Sequence, residues 1–177
     1  MRVILLAVLG AVAAFPQALS PGVKFGAPLS NAFDGAPGSL FSEDKLYTVG
    51  VMLDVRLPAG LGIELDLLYR RLSTDRVGGG AWQFPLLGKY RLGAGRVKPY
   101  AAGGLAFSHL SGLADFRQEL RKRSNTGLVM GTGLEIRGPI IRVSPEIRYT
   151  RWGSENFGDS PLRTQRNQAE FLIGVTF

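Results

Sequence analysis

Eight segments of this chain alternate apolar residues with polar or small ones, residue by residue. Successive side chains of a β-strand point to opposite faces, so each segment predicts a strand with one apolar and one polar face. The segments cover residues 22–29, 45–57, 61–71, 82–92, 98–109, 126–137, 141–149 and 167–177. Each is close to the roughly 9–11 residues with which a tilted strand crosses a bilayer. The pattern therefore predicts an all-β fold of eight strands.

Charged residues occupy the polar face of nearly every segment, together with glycine and alanine. The seventh segment shows this most clearly. Its apolar positions are Ile141, Val143, Ile147 and Tyr149, and its polar positions are Arg142, Ser144, Glu146 and Arg148. A membrane barrel turns apolar residues towards lipid and polar ones inwards, whereas a soluble barrel such as a lipocalin keeps its apolar face inside. Small residues between the charges indicate a crowded lumen, which favours a closed, antiparallel, up-and-down transmembrane β-barrel.

The connections between the segments alternate in length. Short turns rich in Gly and Pro lie at 58–60, 93–96 and 138–139, and longer polar stretches lie at 30–44, 72–81, 110–125 and 152–166. Outer-membrane barrels have short periplasmic turns and longer external loops, so both termini are predicted to be periplasmic. Aromatic rings favour the two membrane interfaces. Those expected near the long-loop end are Tyr47, Tyr69, Trp82, Phe84, Phe107, Tyr149 and Phe171, and those near the short-turn end are Tyr90 and Phe177.

The first residues have the layout of a secretory signal peptide. Met1 and Arg2 give a short positive start, residues 3–14 are apolar, and Phe15-Pro16-Gln17 interrupts the run. Twelve apolar residues fall short of the roughly 20 that a membrane-spanning helix needs. The sequence therefore predicts a signal peptide over 1–18, cleaved between about residues 13 and 18, and a mature barrel over 19–177.

Composition narrows the class of protein. The chain contains 24 glycines and no cysteine among 177 residues. No disulfide can stabilise the fold, but a closed ladder of backbone hydrogen bonds needs none. The net charge of +7 could indicate a nucleic-acid partner. The predicted export of the chain and its alternating strands argue against a nucleic-acid partner. Anionic lipopolysaccharide is the expected counter-charge. With one histidine and no cysteine, neither a metal site nor a cofactor is predicted.

Three segments resemble strands of the small bacterial outer-membrane β-barrel-domain family, which is related in architecture to the OmpA membrane domain. Residues 22–29 (GVKFGAPL) are similar to its opening strand, and residues 84–91 (FPLLGKYR) and 98–104 (KPYAAGG) to its fourth and fifth strands. The resemblance implies an eight-stranded barrel in the bacterial outer membrane. It implies little about activity, because members of this family mostly lack an assigned one.

The last segment resembles the C-terminal signal of bacterial outer-membrane proteins, a final strand with a terminal Phe. Glu170, Val175 and Phe177 match its polar and apolar positions, and Leu172 stands where the signal usually has Gly. The resemblance implies that the barrel-insertion machinery reads these three residues during assembly.

Charged residues on the inward faces predict an ion-pair network in the lumen. Eight strands leave an interior that side chains just fill. The predicted members are acidic Asp54, Glu64, Asp66, Glu135, Glu146 and Glu170, and basic Lys24, Arg56, Arg70, Lys89, Arg91, Arg137, Arg142 and Arg148. Six negative and eight positive charges come near the balance that a buried network requires. We expect a structural plug; the alternatives are a proton or ion path and a narrow pore.

The only histidine raises the possibility of an enzyme. His109 and Ser111 resemble the His-x-Ser pair of outer-membrane lipid A deacylases, and Glu119 could orient the imidazole. Gly112 stands where those enzymes usually have Asn. A polar pair at the membrane interface explains the same residues more simply, so no catalytic site is predicted and a lipid A hydrolase stays the alternative.

One long loop carries a group of cations. Residues 115–123 could form a short helix that exposes Arg117, Arg121, Lys122 and Arg123, which could contact lipopolysaccharide phosphates. A solvated loop accounts for the same residues. The sequence as a whole predicts a monomeric, non-conducting outer-membrane barrel with a structural or surface-interaction role.

Overall fold

A computed structural model describes residues 19–29, 33–35, 47–74, 77–111, 124–153, 162–164 and 166–177. The predicted signal peptide, residues 1–18, lies outside this set. Within these ranges no helix is long and apolar enough to cross a membrane. The described strands are β1 (Leu19–Pro28), β2 (Phe33–Gly35), β3 (Thr48–Arg56), β4 (Leu61–Thr74), β5 (Val77–Arg91), β6 (Val97–Ser111), β7 (Ser124–Arg137), β8 (Arg142–Trp152), β9 (Leu162–Thr164) and β10 (Asn167–Thr176).

Eight of the strands form a closed barrel in the order β1-β10-β8-β7-β6-β5-β4-β3. Every neighbouring pair is antiparallel, and β1 closes the barrel by pairing with both β3 and β10. Closure gives each barrel strand a partner on both sides, which removes the open sheet edge that a bilayer does not tolerate. The predicted closed, up-and-down, eight-stranded barrel is confirmed.

The two faces of the sheet differ as the alternation predicted. Outward-facing Val51 and Met130 are 54% and 66% exposed, whereas inward-facing Glu64 and Leu87 are 0% exposed. The barrel is therefore inverted relative to a soluble protein, with its apolar surface outside and its charges inside. The strands begin and end within a few residues of the predicted segments at the short-turn end of the barrel.

The predicted loop over 72–81 was wrong, because β4 and β5 continue through most of it. Gly78, Gly79 and Gly80 indicated a loop in the sequence, but they pair with β4 as a regular ladder. The ring of Tyr69 occupies the space where a side chain at residue 80 would lie. Packing against this aromatic ring therefore compensates for the missing side chain, which a local sequence pattern cannot show.

The polar stretches 30–44 and 152–166 also contain structure that the sequence did not predict. Three residues of each form a separate two-stranded sheet, in which β2 pairs antiparallel with β9. Segments of three residues are too short to show a period of two. Their pairing depends on β1 and β10 lying side by side, which brings the two connections together at the long-loop end of the barrel.

The three short turns lie where they were predicted, and two of them use left-handed backbone. Ala59 and Gly60 have φ angles of 61° and 78° in the turn between β3 and β4, and Gly93 has φ 78° in the turn between β5 and β6. Glycine adopts this conformation without steric cost. These tight turns define the short-turn end of the barrel, where β1 also begins and β10 ends.

Candidate functional site

The lumen holds a cluster of six charged side chains at mid-height. This central cluster consists of Lys24 from β1, Glu64 and Asp66 from β4, Lys89 from β5, and Glu146 and Arg148 from β8. Each residue lies on the inward face of its strand, and each is at most 6% exposed. The alternation of side chains along each strand therefore places charged groups from four strands in one enclosed space.

Arg148 joins the three carboxylates of the central cluster. Its Nη2 lies 2.9 Å from Glu64 Oε1, its Nη1 lies 2.8 Å from Asp66 Oδ2, and its Nε lies 2.6 Å from Glu146 Oε1. The planar guanidinium offers several donors in a fixed fork. Arg148 therefore ties β8 to β4 across the width of the lumen.

Two lysines complete the charge balance. Lys24 Nζ lies 2.5 Å from Glu64 Oε1, 3.1 Å from Asp66 Oδ2 and 3.7 Å from Glu146 Oε2. Lys89 Nζ lies 2.6 Å from the second oxygen of Glu64. Three positive groups thus face three negative ones. A buried charge without a partner is costly, so this neutrality is what allows the cluster to lie in the barrel interior.

Tyr100 contacts the central cluster, although the sequence interpretation did not include this residue in the network. Its hydroxyl donates to Glu146 Oε2 at 2.8 Å, and Lys89 Nζ lies 4.0 Å from the centre of its ring. This geometry is a cation–π contact. The available signal was an aromatic residue on the inward face of a segment otherwise filled by Gly and Ala.

A second group lies nearer the short turns. This mouth cluster contains Asp54 and Arg56 from β3, Arg91 from β5 and Glu135 from β7. Arg91 pairs with both Asp54 oxygens, and its Nε donates to Glu135 Oε2 at 2.8 Å. Arg56 Nη2 reaches the other oxygen of Glu135 at 3.0 Å. These pairs connect β3, β5 and β7 across the barrel.

Arg137 and Arg142 lie at the rim, which corrects their predicted place in the enclosed network. The Arg137 side chain is 47% exposed, and its Nη2 lies 3.9 Å from Glu135 Oε1. Arg142 donates from Nη2 to Ser20 Oγ at 2.6 Å and from Nε to Thr176 Oγ1 at 3.3 Å. The two arginines end β7 and begin β8, on either side of a short turn, so they reach towards water.

A third group lies towards the long loops. Arg70 Nη1 donates to Gln168 Oε1 at 3.1 Å and lies 3.4 Å from Glu170 Oε1, which also accepts from Thr48 Oγ1 at 3.3 Å. Glu170 was predicted both for the network and for the assembly signal. Its side chain is 3% exposed in the lumen.

Apolar side chains fill the space beside these charges. Leu68, Leu87 and Leu172 are 0% exposed on the inward face. Leu87 belongs to a buried apolar cluster whose other members are Tyr100, Ala102, Ala106, Val129 and Trp152. Among the residues with described placement, no group of three or more His, Cys, Asp or Glu side chains is arranged to hold a metal ion.

The imidazole of His109 contacts a serine that the sequence interpretation did not include. Its Nδ1 lies 3.2 Å from Ser124 Oγ on the neighbouring strand β7. His109 is on the outward face of β6 and pairs with Trp82 of the neighbouring strand β5. The side chains of Ser111 and Glu119 lie outside the described residues. The contact with Ser124 fits a polar pair at the membrane interface.

The sequence of the chain matches a family that accounts for this architecture. A sequence model described as "Outer membrane protein beta-barrel domain" matches residues 3–177. The chain belongs to this family. It is therefore a protein of the bacterial outer membrane, and the exposed apolar face of its barrel lies against lipid. In outer-membrane barrels the short turns face the periplasm and the long connections face outwards.

Solved outer-membrane barrels share this fold. Neisserial surface protein A is 16% identical with a TM-score of 0.65, and the match covers 89% of this chain and 94% of that one. OprG of Pseudomonas aeruginosa is 14% identical with a TM-score of 0.60, covering 89% and 92%. Ail of Yersinia pestis is 11% identical with a TM-score of 0.54, covering 89% and 95%. No curated protein matches this sequence significantly.

The last two residues of the predicted assembly signal lie on the lipid-facing side of this outer-membrane barrel. Val175 pairs with Val23 of β1 and Val143 of β8. Phe177 follows β10, is 62% exposed, and its backbone N donates to Pro21 O at 3.1 Å. The four loop cations Arg117, Arg121, Lys122 and Arg123 lie outside the described residues.

Proposed function

We propose that this protein is a non-conducting outer-membrane barrel that stabilises the envelope and presents external elements to surface partners. The observation that carries the proposal is the filled lumen. Charged groups of the central cluster and apolar groups such as Leu87 are both withdrawn from solvent. Opening a water-filled path would require breaking ion pairs that are held at 2.5–2.9 Å.

A conductance measurement tests the closed lumen. Protein reconstituted in planar lipid bilayers should give no unitary openings. The double variant Lys24→Ala, Glu64→Ala removes one positive and one negative group from the central cluster and leaves its charge balanced. It should conduct more than the unmodified protein, because two large side chains no longer fill the lumen. Reproducible, salt-dependent unitary openings from the unmodified protein would contradict a plug and favour the narrow pore.

Two structural elements lie at the external end of the barrel. The hairpin of β4 and β5 continues through residues 72–74 and 77–81, and the small β2–β9 sheet joins two connections. One structure of Ail, with a TM-score of 0.55 to this chain, is a complex with the heparin analogue sucrose octasulfate. We propose that Arg117, Arg121, Lys122 and Arg123 likewise meet anionic groups, those of lipopolysaccharide. Arginine forms charge-assisted hydrogen bonds with phosphate, which supports this assignment.

The barrel-insertion machinery is the proposed partner during assembly, with Phe177 as the decisive residue. Phe177→Ala should lower the outer-membrane yield while changing the free energy of unfolding of the inserted barrel by no more than about 1 kcal/mol. The reason is that a side chain 62% exposed has little packing to lose. Outer-membrane fractionation and urea unfolding measure the two quantities.

Phe107→Ala provides the matched control for Phe177→Ala, since Phe107 is also outward-facing and is 49% exposed. Its yield should stay close to that of the unmodified protein. Equal loss of yield in both variants would show that outward aromatic area, rather than the terminal signal, governs insertion. We also propose a monomeric state, because β1 and β10 pair with each other and leave no barrel strand of the described set with an open edge.

A further inference from the structure

The short-turn mouth of the barrel contains a cavity that the ion-pair plug does not fill. Its volume is about 360 Å³, and its lining includes Ser20, Arg56, Arg137, Arg142, Ile140 and Phe177. Three of these side chains are guanidinium groups from three strands or strand ends, β3, β7 and β8. The cavity lies below the mouth cluster and opens towards the periplasm.

The charges around this cavity do not balance, in contrast to those of the central cluster. Asp54, Glu135 and the terminal carboxylate of Phe177 supply three negative groups, whereas Arg56, Arg91, Arg137 and Arg142 supply four positive ones. Arg56 and Arg91 use the carboxylates of Asp54 and Glu135 directly. The difference, four minus three, leaves one positive charge at the mouth.

Arg137 and Arg142 share the surplus. In the described part of the chain, Arg142 hydrogen-bonds the neutral oxygens of Ser20 and Thr176 and, at 3.3 Å, one oxygen of the Phe177 terminal carboxylate. Its Nη1 takes part in none of these bonds. Arg137 reaches Glu135 only at 3.9 Å, beyond hydrogen-bond range. Both guanidinium groups line the cavity and have donors to offer a ligand.

We propose that this mouth binds a phosphate group. A phosphate ester or free phosphate carries between one and about two negative charges at neutral pH, which would offset the surplus positive charge of the arginines. Guanidinium forks bind phosphate oxygens with charge-assisted, frequently bidentate hydrogen bonds. Donors that converge from three directions fit the oxygens of a tetrahedral phosphate better than the two oxygens of a planar carboxylate.

The phosphate could be free in solution or part of a lipid headgroup, and the two sources share this chemistry. Apolar side chains stand beside the arginines at the mouth: Ile140 is 85% exposed and Phe177 is 62% exposed. A ligand with an apolar portion next to its phosphate would cover both. The experiment therefore includes a soluble arm and a lipid arm.

Calorimetric titration of the folded barrel in a non-ionic detergent tests the proposal. The soluble arm uses inorganic phosphate at constant ionic strength, with chloride as the reference anion. The lipid arm uses a short-chain cardiolipin, which carries two phosphodiesters, with a short-chain phosphatidylcholine as the zwitterionic reference. Arg137→Gln and Arg142→Gln each remove one lining guanidinium. Arg96→Gln removes an exposed charge from a neighbouring short turn that does not line the cavity.

Saturable binding near one site per barrel is expected in at least one arm, with the dissociation constant raised about tenfold by Arg137→Gln and by Arg142→Gln and left unchanged by Arg96→Gln. Binding in the soluble arm identifies a free phosphate ligand, and binding in the lipid arm alone identifies a headgroup. No saturable binding in either arm would overturn the proposal. An equal loss in all three variants would also overturn it, because the effect would then come from the charge of the rim as a whole. Arg137, half exposed and without a close partner, keeps the test valid if Arg142→Gln folds poorly.

Discussion

Replacing Arg148 with methionine should lower the free energy of unfolding of the barrel by about 3–5 kcal/mol. The change removes the group that lies within 2.9 Å of Glu64, Asp66 and Glu146. Three buried carboxylates would then face only Lys24 and Lys89. Removing one partner of a buried ion pair leaves an uncompensated charge, which costs far more than the net contribution of the pair. Urea titration in lipid vesicles, followed by the fluorescence of Trp152 in the lumen, measures the change.

Two further variants separate charge imbalance from lost packing at Arg148. Arg151→Met makes the same substitution on the same strand, but at an exposed outward position, and should change the unfolding free energy by no more than about 0.5 kcal/mol. The double variant Arg148→Met, Glu146→Gln restores neutrality in the central cluster. It should be more stable than Arg148→Met alone. If the double variant is no more stable than Arg148→Met alone, the cluster does not depend on charge balance.

Gly104→Ala should destabilise the barrel by about 1–3 kcal/mol, towards the upper end of that range. A methyl group at this inward position would overlap the carbonyl oxygen of Leu86, and it would also lie 3.0 Å from the Cα of Leu87. These are backbone atoms of the neighbouring strand β5, so no side-chain rotation can relieve the contact. Strand β5 would have to shift, and it carries Lys89 into the central cluster.

The adjacent residue provides the control for Gly104→Ala. At Gly103 a methyl group would point outwards, and its nearest atom, Val129 O, would lie 3.8 Å away at ordinary contact distance. Gly103→Ala should therefore leave stability within about 0.5 kcal/mol of the unmodified protein. The same urea titration serves both variants. Similar losses at the two positions would indicate that the glycines matter for backbone freedom rather than for the close approach of β5.

The filled lumen explains why a barrel of this size tolerates so many charges in its interior. Outside the barrel, lipid offers charged groups no partner, so the charges of the central cluster and the mouth cluster, together with Arg70 and Glu170, turn inwards. Inside, the central cluster satisfies them with one another. The mouth is the exception, because Arg137 and Arg142 stand where water or an anion can reach them. The proposed structural role and the proposed phosphate site therefore belong to different levels of the same lumen.

The period of two in the sequence was enough to predict the fold and the orientation of its faces. In a strand the direction of a side chain depends only on whether its position is odd or even, so the inward place of Glu64 or Arg148 follows from local sequence. The number of strands and the alternation of short and long connections then predicted that these strands close into a barrel. For the same reason the sequence predicted a charged interior before any contact was known. Besides Lys24, it named thirteen network residues, and eleven of them lie inside the barrel; Arg137 and Arg142 lie at the rim.

Only the tertiary structure decided which charges meet and where the network ends. Lys24 and Arg148 lie 40 and 84 residues from Glu64 in the sequence, and the stagger of strands around the barrel brings the three together. The same stagger places Arg137 and Arg142 at the rim, Tyr100 against Glu146, and His109 against Ser124. The β2–β9 sheet and the glycine ladder of β5 likewise depend on neighbours distant in sequence. Parity along a strand sets the face of a residue, but its height in the barrel depends on register, which is a property of all eight strands together.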